Sequence, residues 1–543
     1  MPRRSPLAAL AAAGLTLLTT AVTPTVTPTA ALADTPGGDD APLTVTVQDA
    51  RSGDARPADA GAALEAGPRD AAALEAGARR TASRERGTAA LATARRTTLR
   101  DASRTESKDT FTPGSAGLGD PYFPLAGNGG YDVGHYDIAL RFDPRTHRIS
   151  ATTTIKATAT KNLSRFDLDY SGPAITKLEV NGKRASYRRK GQELVVTPKE
   201  GLPSGAAFTV EVSYAGAPKA INDKALGLEG WINTKDGATV VSEPDGARSW
   251  FPANDNPQDK ATFGFRVSVP VGLTVLANGE PKNPGIVPVR NGYTTVRWEM
   301  SQPMATYLAM IAIGKFKVTE GAVAGVPNIT AYDPAVAKKS KYLHRTTAKA
   351  IAWESKVFGG YPFSSTGGIG DKLNVGYALE TQGRPVYDGG PSEDLEIVHE
   401  LAHQWFGDSV GLRSWKDIWL NEGFATYAEW LYQEQHGGPS AQSIFDKHYR
   451  QKGAFWDTKT GNPGRADMFD WEAVYLRGGM TLHALRKKIG DDTFFTLLKT
   501  WTEDNKYGTV TTRDFVDLAE KLSGQDLDPL FDAWLYKAAK PKL

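Results

Sequence analysis

No Phe, Tyr or Trp occurs before Phe111, although aromatic residues make up 9% of this 543-residue chain. Aromatic side chains supply much of the apolar area that a core buries, so a globular fold has to begin near that point. Upstream, from 34 to about 118, the chain is mostly Ala, Arg, Asp, Thr and Gly, and Ala-Leu-Glu-Ala-Gly occurs at 63–67 and again at 73–77. Such a stretch buries too little to offset chain entropy, which predicts a disordered linker or pro-segment. Before it, Arg3 and Arg4 precede a run rich in Ala and Leu from Leu7 to Val22, and Ala31-Leu32-Ala33 stands ahead of Asp34. Basic start, apolar middle and A-x-A site read as a signal peptide over 1–33, which predicts a secreted, extracellular protein free of the membrane once the signal is removed.

From Asp120 the texture changes. Tyr136, Ile138, Leu140 and Phe142 alternate with Asp137, Ala139 and Arg141, the period of a strand, and 151–160 is a second candidate. Asn-Gly pairs at 181–182, 278–279 and 291–292 stand between apolar runs and predict hairpins. The segment 119–332 therefore reads as an antiparallel β-rich domain. Beyond it the period becomes helical. Helices are expected over 346–358, from Ser392 through Trp405 and Phe406, over about 421–436, and over roughly 472–489, 491–503 and 512–523. Thr511 with Asp514 resembles a capping box, and Gly524 a C-terminal stop. A mainly helical domain thus occupies 333–543.

The chain has no Cys, which excludes thiol nucleophiles and thiolate metal sites, so any metal must be held by carboxylates and by some of the 8 His. A net charge of +2 is too balanced for a nucleic-acid footprint. Residues 399–403 read His-Glu-Leu-Ala-His. On a helix, positions i and i+4 share a face, so His399 and His403 can reach one ion, with Glu400 placed to hold the attacking water. A catalytic zinc site uses three protein ligands and one open position, and Glu422, on the next expected helix, supplies the third. Neither His135, His147, His344, His436, His448 nor His483 has ligand spacing; these read as surface or core.

These residues carry a family resemblance. The stretch His399-Glu-Leu-Ala-His-Gln-Trp-Phe-Gly407 with Trp419-Leu-Asn-Glu-Gly-Phe-Ala425 resembles the aminopeptidase N family of gluzincin zinc metallopeptidases, over about Asp120 to the C-terminus. The resemblance implies a multidomain α+β chain: an antiparallel β saddle domain, then a thermolysin-like, mainly helical catalytic domain. Larger members carry a long C-terminal helical-repeat domain, and this chain looks like a short form without it.

The family's Gly-Ala-Met-Glu-Asn motif appears here as Tyr377-Ala-Leu-Glu-Thr381. The resemblance makes Glu380 an anchor for the substrate α-amine and puts Ala378 in contact with the substrate backbone; taken alone, Glu380 reads as a surface acid. Glu243, with Arg248 and Phe251-Pro252, matches the second amine-binding acid; taken alone, it reads as a structural partner for Arg248. Val241 stands where a Gln is usual. Tyr475, in a Tyr-x-x-Gly setting, matches the tyrosine that stabilises the tetrahedral intermediate. The implied protein is a monomeric aminopeptidase with one Zn2+, acting on peptides with a free N-terminus, Glu400 serving as general base. A zinc endopeptidase, a zinc hydrolase of another bond, and a non-catalytic peptide-binding protein are the alternatives.

Overall fold

Tyr136, Ile138, Leu140 and Phe142 all lie on the buried face of one strand, Tyr131–Asp143, each at most 2% exposed. Fully burying side chains of this size contributes roughly 1.5–3 kcal/mol each. A computed structural model describes residues 110–543. The expected signal peptide and nearly all of the expected linker lie outside the described residues. Among those described, no helix is long and apolar enough to cross a membrane.

The strand Tyr131–Asp143 sits inside an eight-stranded sheet. It pairs antiparallel with Arg148–Ala159 and parallel with Ala261–Pro270, so the sheet is antiparallel except at this one junction. Aromatic rings from both sides of the junction stack, Tyr136 on Phe263 with centroids 4.9 Å apart. A five-stranded antiparallel sheet follows, in the order Ile221–Asp223, Gly227–Asn233, Ala238–Val241, Ile311–Gly314, Thr274–Ala277. Glu243 stands just past the end of its central strand.

Two of the three Asn-Gly pairs make the expected turns. Asn181 and Gly182, and Asn291 and Gly292, all adopt positive φ between paired strands. The third does not. Asn278-Gly279 joins strands of different sheets, and Asn278 is fully buried. Its amide donates to the carbonyls of Leu308 and Gln382, both at 2.9 Å, and accepts from Met310 N at 2.6 Å. Satisfying three buried backbone groups outweighs the hairpin preference of the dipeptide.

The boundary expected at 332 is also displaced. Strands Lys317–Val323 and Val326–Tyr332 pair with each other and then join Thr366–Asp371, Val386–Asp388 and Ala378–Leu379 in one five-stranded sheet. The β-rich part therefore hands over near Gly314. Local pattern marks where strands are, and only pairing shows which sheet they enter.

Four helices build the later part around the site: α1 (Leu343–Val357), α2 (Asp394–Ala402), α3 (Trp419–Gln435) and α4 (Arg477–Ile489). The capping box of Thr511 and Asp514 is present, and Gly524 closes that helix at φ +66°. A helix at Ala441–Tyr449, capped by Ser440, was not anticipated. One partly buried lysine ties the two parts together. The Lys260 ammonium, at the start of strand Ala261–Pro270, donates to the carbonyls of Asp408, Ser409 and Gly508 at 2.8, 3.0 and 2.9 Å. All three of its protons are thereby used.

Replacing Asn278 by Ala orphans several buried backbone groups, at about 1–3 kcal/mol each. Asn278→Ala should lower unfolding stability by roughly 3 kcal/mol or more in denaturant titrations; a variant as stable as the parent would refute this brace.

Candidate metal centre

The His-Glu-Leu-Ala-His segment forms the second half of α2 and its C-cap. The helix is shorter than the sequence suggested. Glu393 is extended, at φ −157° and ψ 170°, so the helix opens at Asp394, while Ser392 bonds forward to Glu396 through its hydroxyl at 2.6 Å. It closes at Ala402, before Trp405 and Phe406. The chain then turns so that the Phe406 carbonyl accepts from His403 Nδ1 at 3.1 Å. The bond to the imidazole replaces continued helix.

With Nδ1 donating to a carbonyl, which can only accept, loss of the other proton, as metal binding requires, leaves the lone pair of His403 at Nε2. His399 is held in the same way, its Nδ1 lying 2.7 Å from Glu429 Oε1. Both Nε2 atoms converge on Glu422 Oε2, at 3.3 Å from His399 and 3.4 Å from His403. Glu422 lies in the first turn of α3 and is 3% exposed. Burial alone would raise its carboxyl, but the His403 charge and the bonds from both rings pull it down to about 2. Burial alone would lower His403, yet Glu422 and Glu380 push it up to about 9. Two imidazole nitrogens and one carboxylate oxygen, within 4.8 Å of one another and buried, are the donor set that zinc prefers. Imidazoles whose far nitrogens bond a carboxylate and a carbonyl are the usual outer support of such a site. The residues present therefore fit a zinc ion.

A close contact between α3 and α4 helps bring the parts together. A Cβ on Gly423 would lie 2.9 Å from the Cα of Gly478, so only glycine permits this approach. Tyr475 sits just before α4, in a π-helical stretch, Trp471–Leu476, of the kind often found at functional sites. Its ring stacks on His399, with centroids 5.9 Å apart and planes at 17°, and burial keeps the phenol protonated.

The structure brings every expected site residue into one pocket: Glu243, Ala378, Glu380, His399, Glu400, His403, Glu422 and Tyr475 line it together with Leu226, Tyr377 and Phe469. Glu380 is 3% exposed, so it is not a surface acid. Arg248 pairs with Asp245 at 2.9 Å, leaving Glu243 free of that structural role. Carboxylate oxygens of Glu243, Glu380 and Glu422 lie within 4.8 Å of one another. One oxygen each of Glu243 and Glu380 is buried without a hydrogen-bond partner. Burial, then Glu380 and Glu422, hold the Glu243 carboxyl well above the usual carboxylate range. Burial raises Glu400 to about 8 against the pull of the two imidazoles.

The profiles for the Peptidase M1 N-terminal domain and the Peptidase family M1 domain match residues 133–308 and 393–534. The crystal structure of an M1 zinc metallopeptidase from Deinococcus radiodurans superposes with a TM-score of 0.73 at 30% identity, covering 78% of this chain and 99% of that one. The chain belongs to peptidase family M1. A mutant of the Deinococcus enzyme bound to a Tyr-Ser-Ala substrate also superposes with a TM-score of 0.73. Among curated relatives, the mitochondrial Aminopeptidase 2 of Saccharomyces cerevisiae is 26% identical over 75% of this chain and 46% of its own length. Aminopeptidase N of Lactobacillus helveticus is 25% identical over 75% of this chain and 51% of its own length. The chain thus spans about half the length of the curated relatives it matches. Zinc is the metal of the M1 metallopeptidases, in agreement with the donor set here.

Two residues of this M1 site escaped the sequence reading. Glu429 stands seven positions after Glu422, two turns along one helix face, a spacing that was visible but indistinguishable from a surface acid. Gln404, next to His403, donates to the Glu380 carbonyl at 3.0 Å and accepts from Gly383 N at 2.6 Å. It clamps the loop that carries Glu380 to the end of α2; nothing in its spacing signalled this.

Removing an outer partner of a metal-bound imidazole typically costs 10–100-fold in metal affinity. Glu429→Gln should weaken zinc binding by roughly that factor in competition with a chromophoric chelator. Unchanged affinity would show that Glu429 does not support the ligand.

Proposed function

We propose that this chain is a zinc-dependent aminopeptidase, hydrolysing the first peptide bond of peptides that carry a free α-amine. One observation carries the reading: Glu243 and Glu380 aim partnerless carboxylate oxygens into the pocket that holds His399, His403 and Glu422. A buried carboxylate without a counter-charge is costly, and a substrate ammonium supplies the charge and the donors these two lack. The names of the relatives point the same way, as does the Tyr-Ser-Ala peptide on the Deinococcus enzyme.

His399, His403 and Glu422 would hold a zinc ion, which would supply Lewis acidity to the scissile carbonyl and lower the pKa of the attacking water. Glu400 takes the water's proton and returns it to the leaving amine. Tyr475 donates its phenolic O–H to the oxyanion, and its protonated state suits that task. Glu243 and Glu380 fix the ammonium, Gln404 holds the Glu380 loop against α2, and Ala378 offers backbone to the substrate from an edge strand. Pinning the amine beside the metal allows only the first peptide bond to reach it, which favours the aminopeptidase over an endopeptidase.

We further infer that the enzyme works outside the cell, on the strength of the signal-like pattern of residues 1–33. N-terminal sequencing of protein recovered from culture medium should begin at Asp34; an intact Met1 in active, cell-retained protein would refute export.

The substrate reading is tested with one peptide in free-amine and N-acetylated forms. Losing a single charge-assisted contact costs about 1.5–3 kcal/mol, roughly 10- to 150-fold. The parent enzyme should favour the free amine by at least that factor, and Glu380→Ala should narrow the gap by losing activity on the free amine. Comparable kcat/KM on both forms would move the assignment to an endopeptidase.

A further inference from the structure

The amine anchor also sets the direction in which a substrate leaves the site. Strand Ala378–Leu379 ends its sheet: it pairs with Val386–Asp388 on one side, and no strand among the described residues occupies its other edge. Glu380 follows at its C-terminal end. A peptide held there by its ammonium and laid along the free edge runs antiparallel to the strand, back past Ala378 and Tyr377 towards Gly376 and Asn374. Paired chains advance together at about 3.3 Å per residue, so with the first residue at Glu380 the fourth and fifth substrate residues fall opposite Tyr377 and Gly376.

That path opens into a second cleft of about 430 Å3. Tyr377 lines both the cleft and the catalytic pocket, and its hydroxyl donates to the Leu228 carbonyl at 2.8 Å. Gly376, Gly389 and Gly390 give the cleft a lining of bare backbone. Its charged side chains are Lys339, Lys372, Asp388 and Glu396. Both acids are already engaged by neighbouring donors. Asp388 accepts from the backbone N–H groups of Leu373, Asn374 and Gly376 at 2.8, 3.0 and 2.8 Å, and Glu396 accepts from Ser392. The two lysines are exposed and make no ion pair among the described residues. Two lysines with no ion-pair partner among the described residues thus stand beyond the free edge, beside two acids that are already hydrogen-bonded.

We propose that this cleft receives the C-terminal carboxylate of short peptide substrates, four or five residues long, through Lys339 and Lys372. The proposal rests on the aminopeptidase reading and narrows its substrate class to oligopeptides with both termini free. A carboxylate at that distance takes its two ammonium partners while the ammonium at the other end takes Glu243 and Glu380, so the substrate is gripped at both ends.

The test compares a tetrapeptide and a pentapeptide, each as free acid and as C-terminal amide. Two exposed ion pairs favour the acid by roughly two- to tenfold in kcat/KM, carried by KM. Raising the salt to 0.5 M should shrink the preference, because exposed charges are screened over a few ångströms there. The double substitution Lys339→Ala with Lys372→Ala should bring the acid-to-amide ratio close to one. Lys338→Ala, whose side chain does not line the cleft, should keep it. Equal use of acid and amide by the parent enzyme, or a preference that survives the double substitution, overturns the proposal. Failure of the aminopeptidase reading looks different: N-acetylated and free-amine peptides would be cleaved alike, whatever their C-terminal group.

Discussion

Two imidazole nitrogens meet one carboxylate oxygen at 3.3 and 3.4 Å, in a place almost closed to water. Burying such a set is costly unless every member is held and its charge is answered. Much of the surrounding structure serves that condition. Glu429 and the Phe406 carbonyl fix the two rings from behind. The glycine contact between α3 and α4 lets Glu422 and Tyr475 approach from neighbouring helices. The Lys260 ammonium ties the turn after α2 to the β-rich part. Gln404 then links the same frame to the loop carrying Glu380, the proposed amine anchor.

The charge around this set is lopsided. Glu243, Glu380, Glu400, Glu422 and Glu429 surround two imidazoles, and no Lys or Arg lines the pocket. A divalent cation answers part of that excess, and a substrate ammonium answers more. The cleft beyond Tyr377 lacks that acidic excess: Lys339 and Lys372 stand there beside Asp388 and Glu396. A peptide with both termini free matches this polarity along its length.

How much of this was legible in the sequence depended on the range of the interaction. His399 and His403 share a helix face, so their spacing alone revealed them, and strand alternation from Tyr136 to Phe142 did the same for the core of the first sheet. Glu380 and Glu243 look like ordinary acids locally; only a family resemblance singled them out, because their meeting depends on loops from two sheets. Asn278 was misread for the same reason, its dipeptide favouring a hairpin while its partners, Leu308, Met310 and Gln382, lie far along the chain. The hand-over near Gly314 was hidden because two hairpin strands belong to a sheet completed only after Thr366. Glu429 and Gln404 act through other residues, and single-sequence spacing does not mark such roles.

The central claim is that the buried triad holds zinc while Glu400 moves the proton. It is tested most directly by measuring zinc content and turnover together in Glu400→Gln, which keeps the side-chain volume and removes the base. About one zinc per chain should remain, while kcat falls at least ~10²–10⁴-fold. Normal turnover with zinc in place would contradict the role given to Glu400, and a parent enzyme fully active without metal would contradict the centre itself.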